Sequence, residues 1–348
     1  MNWENFYKVS IKRYECVIKN IHLVANNIEY YLINVESGNM LEKIKESCNY
    51  VAKNSKYVSI NYDVLDEYIK NIDLRNLKFW LSSNPYNLFD MDIDKIINFM
   101  LIFDSIDYCF WGQPKWTIET LEGKKDGCDA LLYALLNYVK KVDKVDFSNV
   151  SFKEFSDILK GNVDIPFLKE RYDTVVSICD IVNKKMNGNF YNYIKNINND
   201  DDLFDIIINN FNAFYDVREY NNQKIYFYKL AQLLTSDILH IKELINGTKV
   251  DYSHLVGCAD YKIPQTLRAL GIIEFNSDLS KIVDNKQLID ENSMYEVEIR
   301  ANMIEVISYI NSKLKNTCSI DINDYLFLAS KGVKDIVKPY HLCKNKNY

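Results

Sequence analysis

Five prolines and ten glycines in 348 residues leave few points at which a regular backbone must stop. Ordinary chains carry about 5% proline and about 7% glycine. A chain so poor in both can sustain long helices and lacks the turn residues that an all-β fold needs at about every 8–12 positions. With 48% hydrophobic and 26% charged residues it can also bury a substantial core. A mainly α fold with at most a few short strands is expected.

Apolar spacings of three and four place the helices. Between Glu4 and about Val35 they suit one or two helices before the Ser37-Gly38 break. Residues 1–40 are therefore set apart as an N-terminal helical extension, leaving 41–348 as one compact unit or two lobes around a cleft. Within that domain the pattern predicts helices over Leu41–Ala52, Ser59–Asp73 with Asn61 as its cap, Asp94–Asp107 and Asp129–Lys141. Further ones are expected over Phe152–Gly161, Leu168–Asn187, Asp201–Phe211 and Ile225–Asn246. A turn-rich loop surrounds Pro85, and a short extended piece is expected near Ile272–Phe275.

Charge and cysteine usage exclude several classes of function. Net charge is -6, with lysines dispersed among acids, which is not the footprint of a protein that grips long nucleic acid. A small anionic ligand is compatible with it. The eight cysteines lie far apart, with no CxxC pair and no Cys/His set of zinc-ligand spacing. They read as reduced thiols of a cytoplasmic protein. The first residues lack an apolar signal core and no window approaches 18 apolar residues, so neither secretion nor membrane spanning is expected. Oligomeric state is left open.

Two segments carry candidate chemistry. In Ile225–Asn246 a stripe of Phe227, Leu230, Ala231, Leu234, Ile238, Ile241 and Ile245 leaves Lys229, Gln232 and Ser236 on a far side flanked by Ile225 and Leu233. A lysine on a half-apolar face suits a pocket wall, where desolvation would ease proton transfer; the plainer alternative is an exposed lysine on an amphipathic helix. In Leu255–Arg268, Asp260 lies just before a helix opened by Pro264 and ended by Gly271. It suits either a cap for that helix or a fixed anion facing a cationic sugar.

The stretches Phe227–Gln232 with Asp237, and Ala259–Gln265, resemble the queuosine salvage protein family. Others follow in matching order: Tyr50–Ala52 to Ser59–Asn61, Phe110-Trp111 with Pro114–Trp116, Asp126-Gly127, Ile165–Leu168 with Glu170-Arg171, Gly188–Phe190, Glu296–Ala301 and Pro339–His341. The resemblance spans about Leu41 to Tyr348. It implies a helical fold akin to helix-hairpin-helix DNA glycosylases, and hydrolysis of queuosine 5'-monophosphate to queuine and ribose 5-phosphate. No metal or organic cofactor is implied. The motif positions make Lys229 and Asp260 the catalytic candidates and put Gln232, Asp237, Tyr261 and Gln265 among the substrate-binding ones.

The chemistry of that reaction suits those residue types. Cleaving an N-glycosidic bond builds positive charge on the ribose, which a fixed carboxylate stabilises while orienting water. A 7-deazapurine lacks the N7 lone pair that ordinarily takes a proton on departure, so the leaving base needs charge elsewhere, which Lys229 can supply unless it serves to set the carboxylate. Recognising a guanine-like edge and a cationic side chain calls for an aromatic slot and carboxylates. Phe110, Trp111, Asp104, Asp107 and Asp126 lie in the stretch suited to this, although the family resemblance leads one to expect an amide at position 107. Core packing for the two aromatics and an Asx-type turn for Asp126 are the structural alternatives.

Lys262, Arg268, His341 and Lys344 are candidates for the 5'-phosphate. The tail departs from the family in lacking an arginine after His341. Glu296 and Arg300 are spaced for an i,i+4 ion pair bracing the pocket, with contact to ribose as the second reading for Arg300. A non-catalytic protein that captures a queuosine-like nucleotide or base is the alternative function. A glycosylase acting on DNA or tRNA is disfavoured by the acidic charge.

Overall fold

Asparagine, abundant in this chain, does much of the work of starting its helices. The computed structural model describes residues 39–75, 77–332 and 338–348, and the expected extension over 1–40 lies outside these residues except for its last two. Asn61, Asn189, Asn199 and Asn276 each stand before a helix and accept a hydrogen bond from a first-turn N–H, a contact worth about 1 kcal/mol. Ser151 and Glu154 form a reciprocal capping box.

In chain order the helices are α1 (Met40–Asn54), α2 (Tyr62–Ile69), α3 (Ile93–Ser105), α4 (Gly127–Val139), α5 (Phe152–Ile158), α6 (Leu168–Lys185) and α7 (Phe190–Ile194). They continue with α8 (Asp200–Asn210), α9 (Lys229–Asn246), α10 (Lys262–Ala269), α11 (Ser277–Asp284), α12 (Met294–Lys313) and α13 (Ser319–Gly332). The expected loop around Pro85 contains a 3-10 turn, Pro85–Asp90.

Strands are short and paired in twos. β1 (Val58–Ile60) runs antiparallel to β6 (Ile273–Phe275), with Ser59 opposite Glu274. β2 (Thr117–Thr120) and β3 (Gly123–Asp126) form one hairpin, and β4 (Val217–Tyr220) and β5 (Gln223–Tyr226) another. β7 (Leu288–Ile289) pairs in parallel with β8 (Leu342–Cys343), which ties the tail to the body. The mainly α expectation holds.

α12 lies along α1, and α9 packs against α3 and α8. Leu230, Leu234, Ile238 and Ile241 of α9 are buried, and each contributes roughly 1.5–3 kcal/mol relative to exposure. Ile245, expected in the same stripe, is 39% exposed because the last turn of α9 runs past the core. Among the described residues no helix is long and apolar enough to cross a membrane.

One boundary differs from the periodicity in a way that matters. The helix expected from Ile225 begins only at Lys229, because Gln223–Tyr226 is a strand. Asn221 and Asn222, both with positive φ (50° and 60°), form the two-residue hairpin turn for which asparagine is suited. Sequence periodicity alone does not separate a short apolar strand from the first turn of the helix that follows it. Lys229 thereby becomes the first residue of a helix instead of a mid-helix one.

Candidate functional site

The start of α9 is fixed from outside the helix. Tyr228 is left-handed (φ 49°), and three successive N–H groups converge on Asp216: Phe227 and Tyr228 donate to its carbonyl (3.0 and 3.4 Å) and Lys229 to Oδ2 (3.4 Å). A helix N-terminus presents unpaired N–H groups and partial positive charge, so a carboxylate beside it is favourable. Arg300 grips the same carboxylate, Nη1 to Oδ1 at 3.0 Å and Nη2 to Oδ2 at 2.6 Å, and Asn347 Nδ2 donates to Oδ1 at 3.0 Å.

Burial alone would raise the Asp216 pKa, but Arg300, then Arg218 and the Lys229 N–H, bring it below the ordinary value. The Arg300 guanidinium lies 4.0 Å from the Phe227 ring and 4.5 Å from the Tyr348 ring, and its Nε donates to the carbonyl of Ala259 at 3.1 Å. The expected pair with Glu296 is present at 3.5 Å. Arg300 has no exposed surface, so it braces the site from behind.

At its other end Lys229 reaches Asp107, with Nζ 3.2 Å from Oδ2 and 3.1 Å from the carbonyl oxygen. The Asp107 segment is clamped by buried Arg171, which donates to the carbonyls of Ile106, Tyr108, Cys109 and Pro166. Beside Asp107 lie Asp104 at the end of α3 and Asp237 two turns along α9. Asp237 Oδ1 accepts from Trp80 Nε1 at 2.9 Å. Both oxygens of Asp104, Oδ1 of Asp107 and Oδ2 of Asp237 are buried without a hydrogen-bond partner among the described residues.

Burial, then the neighbouring Asp237 and Asp107, hold the Asp104 carboxyl well above the usual carboxylate range, with Lys229 opposing. Asp237 is likewise raised, by burial first, against the Trp80 N–H and with added repulsion from Asp324 and Asp107. Asp324 on α13 is itself pushed up to about 7 by burial, with Asn323 opposing. For Lys229 burial disfavours the ammonium, yet Asp107, Cys258 and Asp260 outweigh it and leave the pKa above the ordinary value. The lysine is a cation set beside buried carboxyls whose pKa values burial raises, Asp104, Asp237 and Asp260.

Asp260 lies within electrostatic reach of Lys229. Its Oδ1 accepts from the N–H groups of Lys262 and Ile263 (3.0 and 2.9 Å), so it does hold the start of α10. Burial raises its pKa, while the Ile263 N–H and Lys229 oppose the rise. Lys229 and Asp260 each act on the other's titration, so the lysine of α9 and the carboxylate before α10 share one electrostatic environment.

Not every sequence candidate joins them. Gln232 is fully buried, and its amide donates to the carbonyls of Phe227 and Gly257 (both 2.9 Å) and accepts from the N–H groups of Val256 and Gly257 (2.8 and 3.1 Å). It clamps the loop leading to Asp260 instead of facing a ligand. Gly257 has φ 135°, and an added Cβ would meet Ile307 Cδ1 at 3.0 Å, so that loop needs glycine. Ser236, expected on a far side with Lys229 and Gln232, is buried like them, because α3 and this loop cover that face.

Arg268 pairs with Asp284 (2.8 Å) and stacks on Phe275 (4.6 Å) at the far end of α10. His341 is buried beside the Tyr348 hydroxyl (3.1 Å), and burial followed by Arg300 lowers its pKa to about 3. A neutral imidazole there cannot serve as a cationic phosphate ligand. Gln265 Nε2 donates to the Lys338 carbonyl at 2.8 Å, and Lys344 is exposed. Phe110 is buried 5.1 Å from the Arg171 guanidinium, Trp111 is half-buried, and Asp126 is half-exposed in a 2.7 Å pair with Lys115. Lys262 Nζ lies 4.5 Å from the Tyr340 ring, which itself packs on Tyr261 at 4.9 Å.

Trp80, Asp216 and Asp324 escape sequence reasoning. They meet the site only through long-range contacts, and none sits in a pattern that marks it. The described residues contain one group of possible metal ligands, Asp200, Asp251 and His254. There, Asp200 already accepts from the backbone of Asp201, His254 and Leu255 and from His254 Nδ1, which makes it a turn brace.

Comparison with known proteins matches residues 86–344 to the family described as queuosine salvage protein. A protein of Sphaerobacter thermophilus is 31% identical over 217 residues, covering 61% of this chain and 67% of that protein. One of Dictyostelium discoideum is 25% identical over 87% of this chain and 98% of its own length, and one of Mus musculus 25% identical over 86% and 91%. All three carry the name queuosine 5'-phosphate N-glycosylase/hydrolase. The match runs from before the clamped Asp107 segment through Lys229 and Asp260 into the tail, and by it this chain belongs to the queuosine salvage protein family.

Proposed function

We propose that this chain is an N-glycosidase that hydrolyses queuosine 5'-phosphate, releasing queuine and ribose 5-phosphate for reuse in tRNA modification. The shared name of its relatives supports the substrate. The observation that carries the chemistry is a buried, protonated Lys229 within the field of Asp260, beside carboxyl oxygens of Asp104, Asp107 and Asp237 that have no hydrogen-bond partner among the described residues.

In this reading Asp260 faces the anomeric carbon. The bonds on Oδ1 fix its orientation and leave Oδ2 to stabilise the ribosyl cation and take a proton from the attacking water. The C1'–N bond breaks with its electron pair passing to the base, and the water oxygen bonds to C1'. Lys229 supplies the positive charge that the departing 7-deazapurine anion needs, and the water proton taken by Asp260 returns through solvent to the base nitrogen as neutral queuine leaves. Asp104, Asp107 and Asp237 accept from the N–H donors and cationic amine of the base, and Phe110 and Trp111 offer the flat walls. At the phosphate end Lys262 is the better candidate: burial and then Lys115 lower its pKa, and a dianion would relieve both penalties. Hydrolysis consumes only water, and a cytoplasmic setting suits described cysteines that form no disulfide.

The test is incubation of the purified protein with queuosine 5'-monophosphate and chromatographic detection of queuine. Release at a rate proportional to enzyme supports the reading. Stoichiometric binding with the nucleotide recovered intact would overturn it in favour of a capture protein.

A further inference from the structure

Lys229 and Asp260 are carried by separate segments, the start of α9 and the loop before α10, and one ion pair touches the backbone of both. Asp216 receives the N–H of Lys229, while Arg300, locked to Asp216 by two bonds, holds the carbonyl of Ala259 beside Asp260. Both charged groups are buried, at 2% and 0% exposure, and every oxygen and nitrogen of the two side chains bonds a protein partner, so the pair works within the protein. We propose that the Asp216–Arg300 pair is a positioning device for the glycosidase, a strut that sets Lys229 against Asp260, and that Asp216 is a residue on which turnover depends without touching substrate.

A catalytic constellation must be held within a fraction of an ångström, and displacement of about 1 Å costs on the order of 100-fold in rate. Tyr228 is left-handed and the N–H groups of residues 227–229 all end on Asp216. Two of those bonds go to the backbone carbonyl of Asp216 and one to its carboxylate, so the carboxylate gripped by Arg300 fixes both the segment that carries this carbonyl and the first N–H of α9. Opposite it, Arg300 fixes Ala259 through Nε and is itself held between the Phe227 and Tyr348 rings. A neighbouring buried charge serves the scaffold alone. Glu298, two residues before Arg300, accepts the N–H groups of Lys56, Tyr57 and Val58 and the Tyr220 hydroxyl, none of which lies in either segment.

This inference rests on the proposed glycosidase reading, and the experiment separates the two. If the wild-type chain fails to release queuine, that reading fails whatever the strut does. The strut is then judged from crystal structures of wild type and Asp216→Asn, in which loss of the 3.2 Å contact between Lys229 and Asp107 is expected and an unmoved Lys229 and Asp260 would overturn it. With turnover present, Asp216→Asn is expected to lower kcat about 100-fold with KM within about threefold, measured where the variant is fully folded by circular dichroism.

Glu298→Gln is the control: it should lower Tm comparably and keep kcat near wild type. Equal kcat losses in the two variants, or kcat within about threefold of wild type in Asp216→Asn, would reduce the pair to ordinary scaffold. If Asp216→Asn does not fold, Asn347→Ala removes only the 3.0 Å bond to Oδ1. A kcat loss of a few-fold at unchanged KM is then expected, with none overturning the proposal.

Discussion

Lys229 touches two sets of buried carboxylates, one through its backbone N–H and one through its ammonium. Asp216 and Asp104 are equally hidden from solvent, at 2% and 0% exposure, yet Asp216 is held below the ordinary carboxylate pKa and Asp104 well above it. The difference lies in donors. Asp216 has Arg300 twice, Asn347 and a backbone N–H, whereas Asp104 has no protein donor among the described residues. Burying a carboxylate costs several kcal/mol unless donors replace the lost water, so the first set behaves as a finished strut and the second as a half-built site. A ligand carrying N–H groups and a cationic amine would complete it.

The largest effects should come from Asp260 and Lys229, which share one electrostatic environment. Asp260→Asn keeps an oxygen for the α10 N–H groups but removes the charge facing the sugar. Turnover of queuosine 5'-monophosphate is expected to fall by about three orders of magnitude with KM within a few-fold. Lys229→Met should cost about two orders of magnitude, measured as queuine release under saturating substrate. Unchanged turnover in Asp260→Asn, with only a lower Tm, would make this carboxylate a helix brace of the Asp216 kind.

How much of this was legible in the sequence follows the range of the contacts. Helices whose ends are local chemistry, such as α2 after Asn61 or α12 with its Glu296–Arg300 spacing, could be read directly. Lys229 and Asp260 stood out because their segments resemble the family's motifs, while pattern alone left an exposed lysine and a helix cap as the alternatives. Asp216 was not, since its partner is 84 positions away in Arg300, and no periodicity links the two. Gln232 shows the converse error: its place in the motif suggested a ligand, while its amide is fully occupied by its own loop. The sequence pattern also hid the hairpin before α9, since Ile225 and Phe227 fit a helical stripe until the Asn221-Asn222 turn is considered.

Smaller effects should sharpen the contrast through pH. Asp104 has a raised pKa in the folded protein, so the folded state keeps a proton that the unfolded chain releases. The stability this adds is full below the ordinary carboxylate range and is lost as pH rises through the raised value, at roughly 1.4 kcal/mol per unit of displacement. The wild type should therefore lose stability as pH rises above the ordinary carboxylate range relative to Asp104→Asn, whose denaturation profile should be flatter. Lys229 is also raised, but its loss falls above its ordinary value of 10.5 and does not disturb that window. The same variant should bind queuine about tenfold or more weakly by calorimetry. Parallel pH profiles for the two proteins would mean that Asp104 is ionised, and the half-built site would lose its basis.

The smallest effect separates two basic residues at opposite ends of α10. Arg268 pairs with a half-exposed Asp284 and covers Phe275, so Arg268→Ala should cost about 1 kcal/mol of stability through lost packing and a solvent-screened ion pair and leave turnover alone. Lys262 sits at the other end, within the field of Asp260, and Lys262→Ala should raise KM for the 5'-phosphate about tenfold while leaving KM for the free nucleoside within about twofold. The comparison is made with nucleotide and nucleoside side by side, because stability losses move both substrates equally and loss of a phosphate contact moves only one. If Arg268→Ala discriminates between them and Lys262→Ala does not, the phosphate lies toward the Asp284 end of α10, and the orientation assigned to the nucleotide is reversed.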